Sequence, residues 1–323
     1  MTVQDQSVED AGRSVPRGGM RAAGLAAGAA LLALLVALFG AGLAARGTGE
    51  LRIPGAGATT VLRVAVFAAL ALHLGELTGV AVARGGPLPR GGPLPRGGAL
   101  AAALTGAGAC AGQIVLLAAV SGLDLTEVYG TVEGRLLLAM ANAFLLAAGC
   151  VALNRPAWAV LPLAVVVGAE ALRAHPEPYT PLFGAALTVV HLGAAAVWTG
   201  GLAHALRTMW LRRADPAGAR RVLARYARLA GRLFAALVVT GTLSTLRRLP
   251  VDVVLGTAYG RVLIAKLLLV AVVAGLALAA RARLRGGADA TGPARVELAV
   301  LVLVLLVSAI LTVVPDPHWL SAR

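Results

Sequence analysis

The chain has little charge, little acid and few soft metal ligands. Only 14% of its 323 residues are charged, against about 25% in an ordinary soluble domain, and 59% are hydrophobic. Lys266 is the single lysine among 29 basic residues, and there are just two cysteines and four methionines. Cys110 and Cys150 lie in separate apolar runs, form no CxxC pair and suggest no disulfide framework. A relay of soft sulfur sites for a metal ion is therefore poorly supported. No GxxxxGK(S/T) loop is present to cradle nucleotide phosphates. No HExxH and no plausible Ser-His-Asp arrangement occurs, so the expectation is that the chain is not an enzyme.

What the chain does have is apolar runs of roughly 20 residues, one after another. They predict an all-α, polytopic transmembrane helical bundle of about nine spans, or eight if the first is a cleaved signal. The net charge of +14 is nearly all arginine and sits between the runs. The positive-inside rule explains that placement better than nucleic-acid binding does. Residues 1–19 read as a cytoplasmic tail. Residues 20–155 read as an N-terminal four-helix membrane region, interrupted at 84–98 by the tandem repeat RGGPLPRGGPLPRGG, a linker with no chemistry. A second membrane region covers 156–314, and 315–323 is an external tail. The acidic loop with Asp124, Glu127 and Glu133 should face outward. The seven arginines between Arg207 and Arg228 are the strongest cytoplasmic signal, read as a surface helix on anionic lipid. The N-terminus is then inside and the C-terminus outside.

One run stands out. TVVHLGAAAVWTGGLAHALRTMW, Thr188–Trp210, is apolar enough to span a membrane yet carries His191 near its middle. Ionisable side chains in lipid are costly and face a bundle interior or a pathway. Trp198 follows two turns later on the same face. Gly200 and Gly201 would let another helix approach closely.

The histidine, small residues and WTGGL of this run resemble the copper resistance protein D (CopD) family. The later run T-x-Y-G-R-x-L-I-x-K does too, here Thr257, Tyr259, Gly260, Arg261, Leu263, Ile264 and Lys266. So does an outer-loop histidine, His175, although the family often shows Gly-His-Ala where this chain has Ala174-His175-Pro176. The resemblance is best from about 160 to 314. It implies a bacterial inner-membrane protein that moves or handles copper, and as a possible partner a separate periplasmic chain of the CopC type.

Imidazole suits copper, and the histidines are the best candidates for holding it in either oxidation state. His191, His73, His175 and His318 could supply nitrogen, with Glu76 and Glu170 as carboxylates. His73 and Glu76 are three apart and share a face. Counted along their spans, His73 and His191 both come out near mid-membrane, with His175 and His318 at the outer mouth. Each of these residues has a plainer reading, as a hydrogen bond or an ion pair between helices. Lys266 could snorkel outward or pair with Glu170, and Tyr259 with Arg261 reads as an interfacial anchor pair. Two other functions stay open. A membrane electron-transfer protein could hold haem between His73 and His191. An assembly factor supplying copper to a cuprous enzyme would need the same metal site as a transporter.

Overall fold

The computed structural model describes residues 17–84, 98–174, 180–248 and 254–315, with side chains over 27–82, 98–173, 180–247 and 254–315. The described residues contain α-helices and no strand. They are α1 Arg17–Ala44, α2 Ala56–Arg84, α3 Gly98–Ser121, the short α4 Leu125–Val128, α5 Val132–Ala152, α6 Val160–Ala174, α7 Pro181–Leu211, α8 Pro216–Arg248, α9 Ala258–Arg285 and α10 Thr291–Leu311. Among these residues nine helices, all but α4, are long and apolar enough to cross a membrane. Large side chains such as Leu31, Leu32, Leu268 and Leu278 stay exposed. That is the expected outer surface of a bundle whose solvent is lipid.

The helix ends follow local chemistry. Asn154 takes φ 58° after α5, and the Arg155 N–H reaches back to the Cys150 carbonyl at 2.8 Å. Gly287 does the same after α9, with Ala288 N–H on the Arg283 carbonyl at 2.9 Å. Both are left-handed terminators that satisfy carbonyls left over at a helix end. Thr257 starts α9 by accepting from the Gly260 N–H, and a Cβ at Gly260 would strike the Val254 carbonyl. The Thr257–Gly260 part of the second motif is thus a helix-start device.

α2 and α7 form the central pair. They run parallel, and a Cβ at Gly200 would fall on the Ala71 carbonyl, so the backbones touch as the glycines predicted. α3, α5 and α6 pack on one side of the pair; α8, α9 and α10 on the other; α1 lies outside against α2, α9 and α10. Phe144 of α5 fills the space above Gly106 of α3. By contrast, α8 and α9 touch each other only slightly.

The arginine-rich stretch departs from expectation. It is not a separate surface helix. α7 runs on to Leu211, Asp215 accepts from the Gly218 N–H at 2.8 Å, and α8 continues unbroken from Pro216 to Arg248. Val222, Leu223 and Tyr226 are buried against Leu202 and Ala205 of α7. Apolar residues interleaved with the arginines make this part of the bundle, with Arg220, Arg221 and Arg228 exposed on its outer side and Arg212 buried.

Candidate functional site

The first polar cluster is built on α6. Glu170 and Arg173 are one turn apart and form a 2.7 Å ion pair with both side chains buried. Arg173 also donates to Gln113 of α3 at 3.0 Å and to Glu133 of α5 at 3.1 Å. Arg63 of α2 approaches Glu170 at 3.8 Å and donates to the Thr312 carbonyl of α10 at 3.3 Å. Four charges held this way keep one another tolerable where lone ones would not be.

The second cluster lies around Trp198. Its indole N–H donates to Glu297 of α10 at 3.1 Å, and its carbonyl accepts from the Tyr226 hydroxyl at 2.8 Å. Phe234 meets the ring edge-on, with centroids 5.6 Å apart. Trp198 is therefore a three-helix junction as well as packing.

Between the clusters lies a cavity of about 290 Å³, walled by α7, α8, α9 and α10 and touching Phe67 of α2 and Glu170 of α6. His191, Lys266 and Trp198 line it. His191 Nδ1 lies 2.9 Å from the Thr240 hydroxyl, and that hydroxyl donates to the Ala236 carbonyl at 2.7 Å. Thr240 has one hydrogen and has given it away, so it accepts from His191. The proton then sits on Nδ1 and the Nε2 lone pair is left bare, a tautomer assigned from this network. No hydrogen bond is made by Nε2 among the described residues. Such an imidazole is oriented by its second partner, as metal-binding histidines are.

The other candidate residues are elsewhere. His73 is fully buried and neither ring nitrogen has a partner among the described residues. Gly200 packs between Ala71 and Gly75, which sets the register of α2 on α7. His73 is then level with residues near Trp198, about two turns, or ~10 Å, deeper than His191. The expectation of a shared depth is corrected by that offset. Glu76 accepts from the Ala99 N–H at 2.9 Å and serves the start of α3. Glu170 lines the cavity, but its carboxylate is held by Arg173 and Arg63, not by Lys266. Lys266 makes no hydrogen bond or ion pair among the described residues. Tyr259 is buried against the cavity and not at the surface; Arg261 binds the carbonyls of Ala44 and Arg46. His175 and His318 lie outside the described residues. Among the described residues, which include His191, His73, Glu76 and Glu170, no three of His, Cys, Asp or Glu are grouped to hold a metal ion.

Arg63, Arg173, Thr240 and Glu297 were not anticipated. Arg63 and Glu297 are charges inside apolar runs, a signal legible in sequence. Thr240 carries none, since its role comes from the meeting of α7 and α8.

Helices, lipid-facing leucines and buried charges define a multi-pass membrane protein. Residues 220–314 match the family model described as Copper resistance protein D. The match takes in less than a third of the chain, namely most of α8 together with α9 and α10, three of the four main walls of the cavity. The WTGGL motif of α7 lies outside the matched residues. No curated protein and no solved structure matches the chain.

Proposed function

We propose that the protein handles copper at the bacterial inner membrane, taking it up or delivering it, with His191 as the protein's intramembrane ligand. The observation that carries this reading is the bare Nε2 of His191 in a cavity whose other three main walls are the residues matched to copper resistance protein D. Imidazole nitrogen suits copper, and the bond to Thr240 fixes the ring so that its free lone pair is ready. The arginine-rich ends are assigned to the cytoplasm, which places the N-terminus inside and the C-terminus outside. The cavity is then in the outer half, since His191 is ~15 Å from the start of α7 at Pro181. His175 and His318, placed from sequence alone, would receive copper at the outer mouth from a separate CopC-type chain. Lys266 repels a bare cation, so its role is to set when copper is held, not to ligate it. The chain catalyses no covalent reaction in this reading.

The test is copper bound per chain in detergent-purified protein, loaded under reducing and under oxidising conditions. His191→Ala is expected to remove most of it, and His73→Ala to leave it. Equal copper in the wild type and His191→Ala would refute the assignment.

A further inference from the structure

The copper reading leaves most of the cavity unused. Most of its polar groups are gathered toward one end: Thr188, His191, Ser244, Thr245, Lys266 and Thr312, with Thr199 beside Trp198 at the other. Counted at 1.5 Å per residue, these lie within roughly 15 Å of the outer ends of their helices. Beyond them the lining is Phe234, Leu237, Val270, Val273 and Leu301 with Trp198. The cavity is thus an amphipathic cup with a polar mouth and an apolar floor. It is also open to the side. Val238 of α8 and Leu267 of α9 both line it, yet are 45% and 55% exposed. They mark the seam where α8 and α9 scarcely touch.

Lys266 gives the cup its sign. It sits eight residues into α9, ~12 Å below the helix start. Its charge is within electrostatic reach of the His191 ring. The one carboxylate lining the cup among the described residues, Glu170, is already shared between Arg173 and Arg63. An unpaired ammonium in a low-dielectric site seeks an anion or a strong acceptor. A small-molecule site of this kind is mostly apolar, has a few convergent polar groups, and has a volume near the lower end of the usual ~300–1,000 Å³.

We propose that the cup binds a membrane amphiphile with one anionic head and an acyl chain. A long-chain fatty acid enters between Val238 and Leu267, sets its carboxylate on Lys266, and lays its chain over the apolar floor. The depth of Lys266 favours a compact carboxylate over a phospholipid headgroup. The inference does not depend on copper, since it rests on Lys266 and the apolar floor and is tested on metal-free protein.

The test is a fluorescence titration of metal-free protein in a non-ionic detergent with cis-parinaric acid, a fluorescent long-chain acid, and separately with its methyl ester. The acid is expected to saturate near one per chain and to bind at least ten times more tightly than the ester. Lys266→Met is expected to abolish that preference, and Lys266→Arg to keep it. Displacement of the acid by phosphatidylglycerol at equal concentration would assign the site to an anionic phospholipid and overturn the fatty-acid assignment. Equal binding of acid and ester to the wild type overturns the proposal whether or not either variant folds. Unchanged acid binding in a monodisperse Lys266→Met protein overturns it as well.

Discussion

Gly200→Ala adds one methyl group at the closest approach in the bundle. The new Cβ would fall inside the Ala71 carbonyl oxygen's contact shell and 3.0 Å from the Gly75 Cα. Both neighbours are helix backbone, so relief requires separating α2 from α7. Overpacking of this kind costs about 1–3 kcal/mol. Helix propensity works the other way, since alanine is better than glycine by ~1 kcal/mol in a helix interior. The clash should win, because it disturbs the central pair on which both flanking groups of helices pack. Gly193→Ala, on the same helix, provides the control: a Cβ there meets nothing within 4 Å. It should gain up to ~1 kcal/mol from propensity alone. The two variants are to be compared by thermal unfolding in detergent, followed by tryptophan fluorescence. A change of 1 kcal/mol shifts the midpoint by about 2–4 °C in chains of ~150–250 residues, and by somewhat less here. The expected signs are opposite, with Gly200→Ala below the wild type and Gly193→Ala at or above it. Equal shifts, or a stabilised Gly200→Ala, would refute the register of α2 on α7. The offset between His73 and His191 would fall with it.

Two further outcomes follow from other parts of the structure. Arg173→Met strips Glu170 of its 2.7 Å partner in a buried site and should cost about 3–5 kcal/mol, with part of the loss recovered in the double variant with Glu170→Gln; a double variant no better than Arg173→Met would sink this account. Asp289, outside the spans, accepts from the Thr291 hydroxyl at 2.6 Å and from its N–H at 2.9 Å, and these bonds hold its carboxyl below the ordinary 3.8. A lowered folded-state value contributes stability that is full above the ordinary value and lost as pH falls through the lowered one. Asp289→Asn should therefore melt slightly below the wild type at pH 7 and converge with it in strong acid; a gap that persists there would contradict the linkage.

The helices were legible because lipid imposes one rule, that every backbone polar group be satisfied within its own segment. The apolar runs on either side of the 84–98 repeat emerge as Ala56–Arg84 and Gly98–Ser121. The arginine stretch was misread because charge density masked the buried row Val222, Leu223 and Tyr226. Gly200 was legible as a contact, but its partner was not, because sequence carries no register between helices. That register decides the site. It sets His73 apart from His191, and it brings the Glu76 carboxylate to the Ala99 N–H at the start of α3. The Thr240 bond that orients His191 joins residues 49 positions apart, beyond the reach of any local pattern.

The unbroken course of α8 joins the cup to the arginine-rich end of the molecule. Its C-terminal half, from Phe234 to Thr245, forms one wall of the cup, while Tyr226 is hinged by its hydroxyl to the Trp198 carbonyl. A helix without a break transmits tilt as a lever does. With the Tyr226 tie as pivot, the arm to Gly241 is ~22 Å and the arm to Arg220 is ~9 Å at 1.5 Å per residue. A tilt of about 5°, which moves the wall by ~2 Å, therefore moves Arg220 by ~1 Å the opposite way, against the charged surface of the bilayer. A distance label at that end would register how full the cup is without touching it.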